Sequence, residues 1–281
     1  IFTAREEEQE LLETRGFKYA KAIGMPIVYA PIIQQPRIAN SLLIVPTHTL
    51  PGITFPDRTA FKLYAEEIKR EAKQFDHVFV CVHPSCFKNG FWLDEFAGSG
   101  YRLIQGASPD DINSLSRIRS LFSAVEFVTT NGWGSHVAYA LAEGAKVSIF
   151  GTQPRVTEQQ FVSINEVTWG KNINALRKLL SDEQHEIRMA YLSDYVSKPS
   201  DGTCDVNHGK WLIGADQKLT PEQIRDCLET AFHGSLSQRV EHSLFRLRKQ
   251  AGYYKSHLFQ KPRSNMQSQN ALPEITAFQR L

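Results

Sequence analysis

Two short stretches hold side chains whose types and spacing could do chemistry. One is His83-Pro84-Ser85, directly after the apolar run His77-Val78-Phe79-Val80-Cys81-Val82. The other is Thr130-Asn131-Gly132-Trp133-Gly134-Ser135-His136, set between two apolar runs. Proline cannot continue a strand and fixes the local turn, so the His83 imidazole is held at the strand's carboxyl end. There it can bond a phosphate oxygen or the phosphate of a departing nucleotide, as the cation or as a neutral donor. The second stretch reads as strand, glycine-containing turn, short helix, glycine stop at Gly144 and strand from Lys146. The free N–H groups and dipole of that helix start favour an anion, most often a phosphate. Two plainer readings stay open: a tight β–α turn with no ligand, and a histidine that only caps its loop.

Other residues share these loops. His48 lies between Pro46 and Pro51 in a third loop at a strand end. It either contacts the substrate or forms a structural turn. His136 sits at the helix start, where the dipole lowers its pKa. It faces a ligand or packs under the turn. Trp133, between two glycines, offers a stacking platform for a base or sugar. Asp94 and Glu95 follow Phe91-Trp92-Leu93, either as base or ribose ligands or as solvent-facing acids. The remaining histidines have no motif around them. The four cysteines, Cys81, Cys86, Cys204 and Cys227, form no C-x-x-C pair, so neither a zinc site nor a redox dithiol is indicated. Cys81 falls in a buried strand and Cys86 in a polar, exposed loop. Free thiols fit a reducing cytoplasm.

These loops need a frame. Residues 5–14 read as a charged helix ended by Gly16, and 31–40, with two prolines, as a linker. A strand follows at 42–45, then a helix capped by Asp57 with Phe61, Tyr64, Ile68 and Ala72 at helical spacing. Strands at 77–82 and 101–105 come next. Ser108-Pro109-Asp110-Asp111 marks a helix start, and that helix runs to about Ala124. From 42 to 151 the order is β-α-β-(loop or helix)-β-α-β-α-β. This predicts an α/β fold, a parallel Rossmann-like sheet with helices on both faces. Ligands of such sheets bind beyond the carboxyl ends of the strands, near a switch point. The loops at 46–52, 83–90 and 131–136 all lie there and can converge on one crevice.

Beyond 151 the pattern weakens: a helix at about 172–180, another at 183–195, a polar loop at 198–210 and a helix opened by Thr220-Pro221-Glu222-Gln223. Residues 238–253 read as a basic amphipathic helix with Val240, Leu244, Leu247 and Ala251 on one side, the helical C-terminal extension. Residues 235–281 hold eight Lys or Arg and two Asp or Glu, locally +6. Such charge is a solvated face or a contact for a membrane surface or an acidic partner. The chain divides into 1–40, an N-terminal remnant and linker; 41–234, the Rossmann-like domain; and 235–281, a basic helix and loose tail.

The whole chain has 281 residues, 42% hydrophobic and 22% charged, an ordinary globular composition. Net charge is +2, which gives no global field for nucleic acid, and no nucleic-acid-binding motif is present. Apolar runs such as Ser41-Leu42-Leu43-Ile44-Val45 are strand-length, far below the roughly 18 residues of a spanning helix.

The strand ending in His83-Pro84, the capped helix, and the strand–Thr/Asn–Gly-x-Gly-Ser–helix–Gly–strand unit resemble the C-terminal, nucleotide-binding half of GT-B glycosyltransferases. The likeness is nearest to bacterial enzymes of surface-polysaccharide assembly, such as sialyltransferases and poly(glycerol phosphate) transferases, and covers about residues 17–151. In those families a His-Pro motif and a Ser/Thr-rich helix start hold the CMP or CDP phosphates. The resemblance implies a catalytic His83, with Pro84, Thr130, Asn131, Gly132, Gly134, Ser135, His136 and His48 around the donor nucleotide. The family's paired hydroxyls appear here as Gly134-Ser135, with Thr129 and Thr130 able to supply the missing one. It implies a nucleotide-sugar donor, CMP- or CDP-type over UDP-type, a glycan or lipid-linked acceptor, and a cytoplasmic or peripheral inner-membrane location. No Asp-x-Asp motif is present, so no metal and no separate cofactor is expected. A GT-B enzyme also has an N-terminal domain for the acceptor and the general base. Only a short segment precedes Leu42, so that base is not assigned. Two alternatives follow: a nucleotide-sugar epimerase or hydrolase, and a non-catalytic nucleotide-binding or scaffold module of a polysaccharide assembly complex.

Overall fold

The computed structural model describes residues 1–17, 19–33, 35–48, 58–88, 90–108, 110–153 and 192–232, with single residues between 174 and 190. Expectations for Asp57, Pro109, the loop at 49–57, the helices at 172–180 and most of 183–191, and everything from 233 on lie outside them.

The core is one five-stranded, all-parallel sheet. Its strands are β3 (Ile38–Ile44), β4 (His77–Val82), β5 (Arg102–Gln105), β6 (Val125–Thr130) and β7 (Lys146–Ile149), in the spatial order β5-β4-β3-β6-β7. The chain builds outward from β3 to β5, then returns to place β6 on β3's other side. The switch point therefore lies between β3 and β6. Helices cover both faces, which is why the strands read as near-continuous apolar runs. Leu42, Ile44, Val80 and Val82 pack on one face with Phe61, Tyr64 and Ile68 of α2 (Thr59–Glu71). Leu43, Phe79, Cys81 and Val128 pack on the other with Ile118 and Phe122 of α5 (Ser114–Ala124) and Val137 and Leu141 of α6 (Ser135–Ala142). The Rossmann-like α/β architecture expected from the sequence is the one observed.

Several boundaries differ. β3 starts at Ile38, inside the expected linker, because Asn40 takes a left-handed conformation (φ 49°) at an irregularity in the β3–β6 register. Ser41 Oγ donates to Ile38 O and accepts from Glu126 N, while Asn40 N donates to the Glu126 carboxylate. Polar residues thus serve a strand that an apolar pattern alone cannot see. α5 begins at Ser114, several residues after the acidic start signal. Asp111 there accepts from Asn113 N and pairs with Arg117. α6 stops as expected at Gly144 (φ 78°). Gly144 N bonds Leu141 O and Ala145 N bonds Ala140 O, closing the helix end. The expected polar loop at 198–210 gives way at Val206 to α7 (Val206–Leu212), capped by Asp205 Oδ1 on His208 N. α8 (Pro221–Phe232) opens where expected, with Thr220 and Gln223 capping each other.

The N-terminal segment forms a small parallel pair, β1 (Phe2–Thr3) and β2 (Lys21–Ala22), around α1 (Glu6–Thr14). It ends in a 3₁₀ turn at Pro26–Tyr29. Ile27 and Val28 pack with Ala138 of α6 and Ile213 beyond α7. α7 crosses α6 at Gly209, where an added Cβ would stand 2.2 Å from Ala142 N, so only glycine allows the approach. No described helix is long and apolar enough to cross a membrane.

Candidate functional site

Three loops at the carboxyl ends of β3, β4 and β6 meet around one cavity of about 410 Å³, beside the switch point. Its polar groups are Thr47 and His48 after β3, His83 after β4, and Ser135 and His136 at the start of α6. Apolar walls come from Val45, Leu115, Ile118 and Phe122. Among the described residues no Lys, Arg, Asp or Glu lines it. The size and the mostly apolar lining suit a small organic ligand.

His83 is half-buried and its ring is set from two sides. Pro84 is the first residue of α3 (Pro84–Lys88), and Phe87 N donates to His83 O, so strand passes directly into helix. Ser85 N donates to His83 Nδ1 at 3.2 Å, and Ser85 Oγ stands 2.7 Å from the same nitrogen. A backbone N–H can only donate, so Nδ1 is the acceptor and the neutral ring keeps its proton on Nε2. His48 stacks on this imidazole, ring centroids 4.3 Å apart at 23°. Burial first, and the neighbouring His48 second, hold the His83 pKa below its ordinary value. His83 is therefore a neutral Nε2–H donor at pH 7. Pro84 shapes the turn and does not line the cavity.

The β6–α6 turn divides. Thr130, Asn131 and Gly132 are buried beneath it. Asn131 Oδ1 accepts from Thr47 N and its Nδ2 donates to Thr152 O, both at 2.9 Å, so it clamps the β3 and β7 loops together. Gly132 packs against Thr47, whose Cγ2 would stand 2.5 Å from an added Cβ. Thr130 Oγ1 donates to Gly132 O and lies 2.9 Å from His136 Nε2. His136 folds back under the turn. Its pKa falls to about 4, through burial first and His48 second, with the Gly132 backbone opposing. The direction is the one expected for a helix start; its first cause is enclosure of the ring. His136 lines the cavity and at the same time meets Thr130 beneath the turn, so neither of its two expected placements excludes the other. Thr129 is buried and accepts from Ser148 Oγ, away from the cavity.

Trp133, Gly134 and Ser135 form the exposed half. Gly134 is the N-cap and no side chain caps α6. Val137 N finds Gly134 O, and the amides of Ser135 and His136 have no partner within the helix. Ser135 is exposed and hydrogen-bonded to Tyr139, another cavity residue. Trp133 is 39% exposed, as a stacking platform requires.

Two acidic candidates fall elsewhere. Glu95 is buried at the start of α4 (Leu93–Phe96) and pairs with Arg58 at 2.6 Å; Asp94 is exposed and reaches the same guanidinium at 3.3 Å. Neither lines the cavity. Cys86 is fully buried on the α2 side, where an exposed loop thiol was expected. Cys81, on the cavity floor, has its thiol pushed up to about 12 by burial and is inert at neutral pH. Among the described residues no three His, Cys, Asp or Glu stand as a metal-ligand group.

Sequence reasoning missed Thr47, Tyr139 and Trp92, and marked Ser85 without its bond to the His83 ring. Trp92 is fully buried and its Nε1 donates to Thr47 O at 2.9 Å, tying the loop after α3 to the loop of His48; nothing in the sequence marks that pairing.

No protein-family model and no curated protein sequence matches this chain. Fold and cavity define the class: a Rossmann-like α/β protein with its cavity at the switch point of a parallel sheet.

Proposed function

We propose that this protein binds a nucleotide-activated sugar in this cavity and acts as a glycosyltransferase of bacterial cell-surface polysaccharide synthesis. One observation carries the reading. The stacked His48–His83 pair faces the uncapped start of α6 across a cavity of nucleoside size. The donor phosphates lie over the Ser135 and His136 amides, where the helix dipole favours negative charge. His83 Nε2–H bonds the departing phosphate oxygen, and this bond strengthens as charge develops there. The apolar wall takes the base and ribose, with Trp133 at the mouth. CMP- or CDP-type donors, a glycan or lipid-linked acceptor, and a cytoplasmic or inner-membrane-face location complete the proposal. The basic segment 235–281 is its membrane contact.

A second reading draws on a different observation. No carboxylate lines the cavity among the described residues, so no acidic base is at hand for an acceptor hydroxyl. A module that binds the nucleotide without turnover needs none.

Calorimetric titration with CMP, CDP, UDP and GDP tests both. Selective binding of CMP or CDP, weakened roughly tenfold or more by His83→Ala, is expected. No binding of any nucleotide by the full chain would overturn the nucleotide reading. Binding without transfer or hydrolysis of the matching sugar donor would favour the module.

A further inference from the structure

The Trp133–Ser135 turn has a second exposed side. There it lines another concavity, of about 400 Å³, whose opposite wall is Arg5 and Met25 and whose base includes Leu212. Among the described residues Arg5 is the one Lys, Arg, Asp or Glu lining either concavity. Its guanidinium is already oriented. Nε and Nη2 donate to Glu8 Oε1 at 3.2 and 2.9 Å, and the group lies over the Trp211 ring, 4.2 Å from its centroid. Trp211 Nε1 in turn donates to Glu7 at 3.3 Å. Among the described residues Arg5 Nη1 makes no hydrogen bond. The backbone beside Arg5 is fixed as well. Ala4 O accepts from Gly24 N at 3.1 Å and sits so close to Gly214 (φ 64°) that an added Cβ would lie 1.9 Å from it.

The charge distribution has a consequence. The first cavity offers an anion only neutral donors and a helix dipole. Among the described residues a ligand with a second anionic group meets a permanent cation across the turn, the Arg5 guanidinium that Glu8 holds by an ion pair. There a guanidinium with one free donor edge suits a carboxylate or a phosphate.

We propose that the two concavities form one two-lobed site, and that the second lobe, through Arg5, recognises an anionic group on the part of the ligand lying beyond Trp133. The group is a carboxylate or phosphate, carried by the donor's sugar or by the acceptor. The occupant of the first lobe rests on the nucleotide reading; the anion subsite at Arg5 does not.

The test follows the arginine side-chain Nε–H resonances of the ¹⁵N-labelled full chain, with Arg5→Lys identifying the Arg5 signal. Sodium glucuronate and inorganic phosphate are the anion probes, and CMP reports on the first lobe. Both anions should shift the Arg5 signal and the Trp133 indole N–H signal saturably, and Arg5→Gln, followed on Trp133, should weaken them roughly tenfold while leaving CMP affinity within about twofold. Glu8→Gln, which frees the competing edge of Arg5, should strengthen anion binding, an effect no structural role of Arg5 produces. Displacement of the bound anion by a CMP-linked sugar acid assigns the group to the donor; anion binding that persists with that compound bound assigns it to the acceptor. If neither anion moves the Arg5 signal, or Arg5→Gln binds them as wild type does, the subsite is wrong. A failure of CMP alone overturns the nucleotide reading and leaves the anion subsite standing.

Discussion

The buried and exposed halves of the β6–α6 turn share one heptapeptide and spend their polar groups in opposite ways. Thr130, Asn131 and His136 direct every recorded bond inward, onto Gly132, Thr47, Thr152 and one another. Trp133, Gly134 and Ser135 leave a ring, an uncapped helix start and a hydroxyl at the surface. A helix start with unsatisfied amides is stable only if something else holds its position. The inward half supplies that hold, so the two halves must fail differently when mutated.

The largest effect should come from the clamp. Asn131→Leu leaves Thr47 N and Thr152 O without their partner and puts an apolar branch between them. The expected cost is about 3 kcal/mol, read from urea unfolding at pH 7.5, with nucleotide binding lost as the His48 loop detaches. Full binding with unchanged stability would erase the proposed division of labour.

The brace should show as pH dependence. Folding lowers the His136 pKa from 6.5 to about 4, so between those values the unfolded chain carries a proton that the folded chain does not. Stability contributed by neutral His136 is complete above pH 6.5 and falls as the pH drops towards about 4, by roughly 3 kcal/mol. His83, also shifted down, adds loss of the same sign. Unfolding midpoints taken from pH 7.5 to 4.5 should decline steeply in wild type and much less in His136→Gln. Equal slopes in the two would place the titrating group elsewhere.

The sequence carried the fold where apolar period and punctuation agree. β4, α6 with its Gly144 stop, and α8 with its Thr220 cap all emerge from local rules. It failed where polar residues do structural work. The irregular start of β3 around Asn40 and Ser41, and the onset of α7 at Val206, carry no apolar signature. The site shows the same split. The convergence of His48, His83 and the α6 start followed from strand order, because parallel connections put those loops at one edge. Which side chains face the cavity did not follow, since Asn131 is drawn away from it by Thr47 after β3 and Thr152 after β7. Residue type marked the place; packing decided the direction.

The smallest effect on stability is the sharpest test of the exposed half. Ser135→Ala removes an exposed hydroxyl at the first helical position, whose recorded partner is the Tyr139 hydroxyl. Alanine is a good helix former, and the amides behind it are unaffected. Stability should change by less than about 0.5 kcal/mol. A phosphate over the helix start nonetheless loses one donor, so nucleotide affinity should fall about three- to tenfold. The contrast with Asn131→Leu is then complete: two residues four apart in one turn, one measured by unfolding and the other only by binding. A Ser135→Ala protein that loses stability without losing affinity would put this hydroxyl among the structural groups, and leave the α6 amides, Trp133 and His83 to hold the ligand.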